Sequence, residues 1–309
     1  MGLKFGLLGT GHWAAETQGA ALAAHPDAEL VGVWGRDAGK AGAVADRFGA
    51  RTYTDVDALL ADVDAVAVAL PPDVQAELAL RAARAGRHLL LDKPLALTTA
   101  AADAVVAEVE ARGLASMVFF TNRFSDGIDA FVRESAAEGG WQGVRATLFA
   151  SIFTPGNPYG ASPWRREKGG LWDVGPHVLS VVLPVLGPVE AVAAMAGPND
   201  TVHLLTRHRG GAVGTFAVTL DAPERARGFE VVLYGEAGRV SVPDGDRTAV
   251  SAFQVAIDRL LAQVAGTPGD PLDVRFGREV VAVLETAEVA LREGRTVDVG
   301  KATGASPVA

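Results

Sequence analysis

Short apolar runs alternate with longer stretches of helical periodicity through the first third of the chain. Each run has the length of one buried strand, and the stretches between them repeat apolar residues at helical spacing. The runs that predict strands are Lys4–Leu8, Glu29–Trp34, Arg51–Tyr53, Ala65–Leu70, Leu89–Leu91 and Ser116–Phe120. This alternation predicts parallel βαβ units and a doubly wound parallel sheet.

The pattern changes beyond Phe124, where strand candidates follow one another with few helices between them. The candidates are Val144–Phe153, Val189–Met195, Val202–Arg207, Val213–Leu220, Phe229–Tyr234 and Arg239–Val242. Such a run predicts a largely antiparallel sheet, with helices near 170–186, 250–264 and 271–293. For a chain of 309 residues we therefore predict two domains, 1–121 built as α/β and 122–309 built as α+β.

The first predicted strand leads into the loop Gly9-Thr10-Gly11-His12-Trp13-Ala14, which an alanine-rich helical stretch follows. This is the dinucleotide-binding fingerprint with alanine in its third position. Gly9 permits the tight turn, Gly11 lets a pyrophosphate approach the backbone, and Ala14 keeps helix and strand close. The amino end of the helix then attracts the phosphates. An ordinary glycine turn is the alternative, and the strand before the loop and the helix after it favour the fingerprint.

The second predicted strand ends in Gly35-Arg36-Asp37, where a dinucleotide-binding domain selects its cofactor. A carboxylate at this place accepts hydrogen bonds from the ribose 2′-hydroxyl of NAD, whereas an arginine accommodates the 2′-phosphate of NADP. Glycine followed by arginine favours NADP(H) over NAD(H). Two alternatives stay open, because Asp37 could reach the ribose and Arg36 could be a solvated surface side chain.

A lysine follows the apolar run Leu89–Leu91, in the sequence Asp92-Lys93-Pro94. In open parallel sheets, ligands bind outside the carboxyl ends of the strands, so Lys93 would be directed at the ligand crevice. The alternative is a solvated strand end, with Pro94 merely stopping the strand.

A second group of residues suited to catalysis is Gly169-Gly170 followed by Asp173 and His177. On a helix, a spacing of four puts Asp173 and His177 on one face, where the carboxylate could orient the imidazole. The proline at position 176 would cost a hydrogen bond unless it lies in the first turn of a helix. In the alternative, Asp173 caps a helix that begins near Gly175 and His177 packs in the core.

The composition of the chain limits the partners that it can bind and the cellular compartment that we expect for it. A formal net charge of -9 argues against nucleic acid and acidic membranes, since both are bound by clustered lysine and arginine. The absence of cysteine excludes disulfides, thiolate metal sites and a cysteine nucleophile. The six histidines have no metal-ligand spacing on a helix, so we expect no metal. No targeting segment is visible and prolines interrupt the apolar stretch 178–196, so we expect a cytoplasmic protein.

The Gly9-Thr10-Gly11 loop, the Asp92-Lys93-Pro94 turn and the run from Gly169 to His177 together resemble the oxidoreductases named for glucose–fructose oxidoreductase, inositol dehydrogenase and the rhizopine catabolism protein (Gfo/Idh/MocA). The resemblance covers nearly the whole chain. It implies a Rossmann domain followed by an open-faced, largely antiparallel sheet, through which we expect a homodimer or homotetramer. It also implies reversible hydride transfer between a nicotinamide and a carbinol or ketone of a small sugar, polyol, cyclitol or diol.

The resemblance implies roles for particular residues. Lys93 corresponds to the family's catalytic lysine, His177 to its acid/base histidine and Asp173 to its aspartate. The predicted cofactor contacts are Gly9, Thr10, Gly11, His12, Trp13, Arg36, Leu70, Pro71, Asp92, Lys93 and Arg123. The predicted substrate contacts are Asn122, Trp164, Arg165 and Trp172. A solvated loop is the alternative for Trp164 and Arg165.

The sequence departs from the family's pattern in three places. Asp92 stands where the family usually has glutamate, Gln75 where some members have histidine, and Ser180 where many have aspartate. Ser180 removes a charged acceptor for the hydroxyls of a substrate. A catalytically silent sensor that keeps the cofactor fold is one alternative function, and the complete set of lysine, aspartate and histidine speaks against it. A lyase-like enzyme that uses bound nicotinamide transiently is the other, and it stays open.

Overall fold

The computed structural model describes residues 2–236 and 238–300. The described residues form two compact units. Of the described residues, those up to Phe124 and Arg247–Arg278 belong to the first unit, and those from Ser125 to Asp246 and from Glu279 to Gly300 belong to the second. These units differ from the two consecutive segments 1–121 and 122–309 in that residues 122–124 and 247–278 belong with the first.

The secondary structure follows the predicted pattern closely. The strands are β1 Leu3–Leu8, β2 Ala28–Trp34, β3 Arg51–Tyr53, β4 Ala65–Val68, β5 His88–Asp92, β6 Ser116–Phe119, β7 Trp141–Phe149, β8 Val189–Ala196, β9 Val202–His208, β10 Val213–Thr219, β11 Gly228–Gly235, β12 Gly238–Ser241 and β13 Val297–Asp298. The α-helices are α1 Ala20–Ala24, α2 Ala38–Phe48, α3 Val56–Asp62, α4 Pro72–Arg84, α5 Thr99–Arg112, α6 Asp126–Glu138, α7 Pro163–Asp173, α8 Gly175–Leu186, α9 Ala249–Val264 and α10 Val274–Glu293. A π-helix, Ala14–Gly19, precedes α1. The short strand β13 has no counterpart among the predicted strands.

A parallel sheet in the order β3-β2-β1-β4-β5-β6 forms the core of the first unit. All neighbouring strands in it pair in parallel. Every residue of β4 is buried, as are Leu89, Leu90 and Leu91 of β5, which explains their unbroken apolar sequence. The strand order reverses between β1 and β4, and ligands of such sheets bind outside the carboxyl ends at this switch point. The predicted doubly wound sheet is confirmed.

The second unit contains a sheet in the order β12-β11-β7-β10-β9-β8-β13. Its strands pair antiparallel, except that β7 and β10 pair in parallel. The residues of β9 alternate strictly between buried and exposed from Val202 to His208. This alternation is typical of a sheet with one packed face and one solvated face. The predicted open-faced, largely antiparallel sheet is confirmed.

The stretch expected to be helical over 170–186 is divided between α7 and α8, with Val174 between them. Pro176 lies in the first turn of α8, where its missing N–H costs no helical hydrogen bond. The second helix therefore begins at Gly175, where the alternative interpretation of this motif placed it.

The apolar character of this pair of helices reflects burial. The stretch Pro163–Leu186 is long and apolar enough to cross a membrane by length and composition alone. However, 83% of its most apolar window is buried inside the structure. A core helix of a globular domain passes the same test, so the stretch is weak support for a membrane span.

Candidate active site

The loop after β1 contains two glycines, Gly9 and Gly11, whose surroundings differ. Gly9 has a φ of 138°, and a Cβ added there would lie 2.5 Å from the carbonyl oxygen of Ala69. The chain itself therefore requires a glycine at this position. A Cβ added at Gly11 would meet nothing within 4 Å, and Gly11 is exposed. The open space above Gly11 fits the approach of a dinucleotide pyrophosphate.

The helix that follows the loop places a buried polar side chain against the end of β4. It begins with the π-helix Ala14–Gly19, in which Gln18 is fully buried. The Nε2 of Gln18 donates a hydrogen bond to the carbonyl of Val68, at the end of β4, at 3.2 Å. Single π turns are frequently found at functional sites. Gln18 was not among the predicted site residues.

Arg36 and Asp37, which follow β2, have different surroundings. A Cβ at Gly35 would lie 2.5 Å from Cγ2 of Thr10, so the glycine lets the two loops approach each other closely. The Oδ1 of Asp37 accepts the backbone N–H of Lys40 at 3.0 Å, which makes Asp37 the N-cap of α2. Arg36 is exposed at the same strand end. The Asp37 carboxylate thus caps α2, whereas Arg36 is exposed to solvent.

The turn after β5 presents Lys93. The peptide bond between Lys93 and Pro94 is cis. The Oδ1 of Asp92 accepts the backbone N–H of Lys93 at 2.8 Å. Pro94 and Leu95 are buried, whereas Lys93 stays partly exposed. The side chain of Gln75, a buried glutamine on α4, forms hydrogen bonds with the backbone of this turn.

The remaining predicted site residues of the first unit, three cofactor contacts and the substrate contact Asn122, also follow the carboxyl ends of its parallel strands. Leu70 and Pro71 come after β4, and Asn122 and Arg123 come after β6. Parallel strands bring these ends to one edge of the sheet, the edge that also holds the glycine loop and Lys93. Arg123 is only 2% exposed. His12 is exposed and Trp13 is partly buried in the loop itself. The cofactor contacts of these residues, and the substrate contact of Asn122, stay predictions.

In the second unit, Asp173 ends α7 and His177 lies in the first turn of α8. The Oδ2 of Asp173 accepts a hydrogen bond from Nε of Arg165 at 2.9 Å, and Asp173 is 6% exposed. Between Gly169 and Leu183, all of which the structure describes, every residue except His177 is buried. His177 is thus the residue that this segment leaves partly exposed, although the Nδ1 of its ring is buried.

Arg165 is held by three neighbours at once. Besides its bond to Asp173, its guanidinium lies 4.9 Å from the ring centroid of Trp164 and 5.2 Å from that of Tyr159. Trp164 and Arg165 were expected to contact substrate or to form a solvated loop. Both lie on α7, where Arg165 stacks on Trp164 and bonds the Asp173 carboxylate, so the solvated loop is not their arrangement. A contact with substrate stays a prediction.

The two glycines before Asp173 leave space for residues that are distant in the sequence. Gly169 has a φ of 63°, and a Cβ there would lie 2.1 Å from Oδ1 of Asp200. A Cβ at Gly170 would lie 2.6 Å from Cα of Thr219. The backbone N–H of Gly170 donates to Oδ2 of Asp200 at 2.7 Å. Asp200 thus anchors the segment that leads to Asp173, and no sequence pattern pointed to it.

Trp172 was predicted to contact substrate and is almost completely buried, at 1% exposure. Its Nε1 has no hydrogen-bond partner among the described residues. The ammonium of Lys168 lies 5.9 Å from its ring centroid and pairs with Glu288 at 2.9 Å. The role of Trp172 toward substrate stays a prediction.

Within residues 2–236 and 238–300, no group of three or more acidic or histidine side chains is placed to hold a metal ion.

Two domain models identify the family. Residues 3–120 match the model described as an oxidoreductase family with an NAD-binding Rossmann fold. Residues 145–241 match the Gfo/Idh/MocA C-terminal domain. The chain belongs to the Gfo/Idh/MocA family. The resemblance drawn from the three motifs is therefore confirmed, and the protein is an oxidoreductase of the dehydrogenase type.

Named relatives show the range of this family. The dTDP-3,4-didehydro-2,6-dideoxy-alpha-D-glucose 3-reductase of Streptomyces antibioticus is 32% identical over 249 residues, which cover 77% of this chain and 74% of the relative. The D-xylose 1-dehydrogenase (NADP(+)) 2 of Haloferax volcanii is 30% identical over 311 residues, covering 93% and 89%. The WlbA dehydrogenase of Bordetella pertussis, solved with NADH and UDP-GlcNAcA, has a TM-score of 0.84 at 24% identity, covering 96% of this chain and 99% of that one. This last likeness shows a shared fold.

Proposed function

We propose that this Gfo/Idh/MocA member is an NADP(H)-dependent enzyme that transfers a hydride between the nicotinamide and a carbinol or ketone carbon of a small sugar, polyol, cyclitol or diol. The observation that supports the cofactor choice most directly is the N-cap bond of Asp37 to the N–H of Lys40. A carboxylate engaged in capping is less available to the ribose 2′-hydroxyl, while the exposed Arg36 beside it suits a 2′-phosphate. The D-xylose dehydrogenase relative, whose name specifies NADP(+), supports both the cofactor and a sugar substrate.

The proposed chemistry uses three side chains. Bound nicotinamide would supply or accept the hydride. Lys93, a compact cation on a fixed turn, would hold the substrate oxygen and stabilise negative charge as it develops there. His177 would take the hydroxyl proton during oxidation and return it during reduction, since imidazole titrates near neutral pH. Asp173, held by Arg165, would orient the histidine or a substrate hydroxyl.

A titration of the purified protein with NADPH and NADH, followed by nicotinamide fluorescence, tests the cofactor proposal. We expect tighter binding of NADPH, and we expect Arg36→Ala to weaken NADPH about tenfold while NADH changes little. The matched control is Arg51→Ala, because Arg51 is an exposed arginine at the opposite end of the neighbouring strand β3. Equal affinity for the two cofactors would refute the NADP preference. Failure to bind either would favour the silent sensor.

Substitution of the proposed catalytic groups tests the chemistry. Lys93→Met and His177→Asn should still bind NADPH, more weakly in Lys93→Met because Lys93 is a predicted cofactor contact, and should lose turnover in a screen of sugars, polyols and their ketones. Full turnover by either variant would refute the role proposed for that residue.

The proposal extends to assembly and location. The open face of the second sheet carries exposed apolar side chains, and we expect it to join copies of the chain into a homodimer or homotetramer. The most exposed of them are Met195 at 73% and Leu205 at 53%. We expect a cytoplasmic enzyme, and a formal net charge of -9 fits one that acts on small molecules without a nucleic-acid or membrane partner.

A further inference from the structure

We propose that Gln75 is a positioning residue for Lys93, and that it acts by fixing the backbone of the turn that presents the lysine. The inference rests on the proposed function, because the exact place of Lys93 matters only if Lys93 acts on substrate. Gln75 lies on α4 and is 1% exposed.

Both ends of the Gln75 amide bond this turn, on either side of Lys93. The Oε1 of Gln75 accepts the backbone N–H of Asp92 at 2.9 Å. Its Nε2 donates to the carbonyl of Asp92 at 2.7 Å and to that of Pro94 at 3.0 Å, with the carbonyl of Leu95 at 3.4 Å. The residues directly before and after the lysine are thus tied to one buried side chain.

The carboxylate of Asp92 fixes the same turn from a second direction. Its Oδ1 accepts the backbone N–H of Lys93, and its Oδ2 lies 3.5 Å from Nε2 of Gln18. Gln18 is itself fully buried and bonds the carbonyl of Val68. The turn is therefore held against α4 on one side and the helix after the glycine loop on the other. Lys93 stays partly exposed between them.

A primary amide is the side chain that this arrangement requires. Glutamine offers an acceptor oxygen and two donor hydrogens, whereas glutamate only accepts and leucine does neither. Without the Nε2 donor, the carbonyls of Asp92 and Pro94 lose the hydrogen bonds from Gln75, and the turn is less tightly held. A displacement of about 1 Å can cost about a hundredfold in rate when a group must meet a reacting atom.

The test observes Lys93 directly, by NMR of the protein after reductive methylation with 13C-formaldehyde. The chain has five lysines, and Lys93→Arg assigns the signal of interest. We expect Gln75→Leu to shift or broaden the Lys93 signal and to leave the other lysine signals in place. Gln75→Met, which has a similar length and brings no buried charge, is the second variant if Gln75→Leu does not fold. It should change the same signal in the same way.

Gln263→Leu is the matched control. The Gln263 amide also pairs with backbone in the first unit, accepting the N–H of Ser116 at 3.4 Å and donating to its carbonyl at 3.3 Å. Its removal should lower the stability of the fold without moving the Lys93 signal. A folded Gln75 variant whose Lys93 signal equals that of the wild type would overturn the proposal.

Turnover provides the second readout. With a substrate that the wild type converts, Gln75→Leu should lower kcat about tenfold to a hundredfold and change the KM for NADPH less than about twofold. Gln263→Leu should keep its kcat. A shifted Lys93 signal with unchanged kcat would overturn the positioning role. Full turnover by Lys93→Met would refute the proposed function instead, and the NMR comparison separates that result from a failure of the Gln75 contact.

Discussion

Arg165 and Asp173 form an ion pair that is largely withdrawn from solvent, with Nε and Oδ2 2.9 Å apart and side-chain exposures of 21% and 9%. The pair joins the two ends of α7. Since α8 and His177 follow directly after Asp173, the pair also fixes the segment from which the histidine projects.

Arg165→Met should lower both stability and turnover, because it removes the charged partner of a buried carboxylate. A hydrogen bond to a charged group contributes about 1.5 to 3 kcal/mol, and we expect a loss of about 2 kcal/mol in urea unfolding. Arg166→Met is the control, since Arg166 is exposed and stacks on Phe153 at 4.5 Å without bonding Asp173. It should cost less than about 0.5 kcal/mol. Equal losses in the two variants would contradict the role given to the ion pair.

The two glycines of the first loop should respond oppositely to alanine. Gly9→Ala adds a methyl group against the carbonyl oxygen of Ala69 at a positive φ, and should destabilise the fold by about 2 to 4 kcal/mol. Gly11→Ala meets nothing in the chain and should keep its melting temperature, yet bind NADPH far more weakly because the methyl group occupies the pyrophosphate approach. Thermal unfolding and fluorescence titration measure the two effects. Normal NADPH binding by Gly11→Ala would remove the support for the pyrophosphate site.

Acidification should destabilise the protein partly through His208. Burial lowers the pKa of His208 below its ordinary value, although its bond to the carbonyl of Gly187 opposes the shift. The unfolded chain therefore binds the proton more readily than the folded one, so the free energy of unfolding falls as the pH drops through the ordinary histidine range. Burial lowers the pKa of His88 in the same direction.

Denaturant unfolding between about pH 7 and pH 5 measures this effect. His208→Gln should reduce the pH dependence of stability. The control is His203→Gln, since His203 lies on the same strand but is exposed, and it should leave the dependence as it is. An unchanged slope in His208→Gln would show that other groups cause the acid sensitivity.

A charge on the open sheet face should dissociate the proposed oligomer. Leu205→Glu places a carboxylate where Leu205 is 53% exposed on β9, and burying it in an interface would be costly. We expect sedimentation velocity to show a dimer or tetramer for the wild type and a monomer for the variant. Val264→Glu, on α9 of the other unit with 38% exposure, should keep the wild-type assembly. A monomeric wild type would refute the proposed oligomer.

Much of the architecture could be predicted because it depends on local patterns. The buried strand β4 and the buried centre of β5, Leu89–Leu91, appear as unbroken apolar runs. The sequence of β9 does not alternate apolar and polar residues, although its burial does, because Leu205 is exposed and Thr206 and His208 are buried. Gly9 could be identified because a tight turn after a strand imposes its own residue type. The three motifs also indicated the family before any coordinates.

The chain's sequence thus determined the two sheets, the loop that fits a dinucleotide and the residues suited to catalysis. Only the tertiary structure decided which polar groups meet, as in the pairing of Gln75 with Asp92 and of Asp200 with Gly170. The physical reason is that hydrogen bonds depend on distance and direction in space. Residues 17 or 30 positions apart in the chain meet only after the helices and sheets have packed, and no periodicity of the sequence records such a meeting.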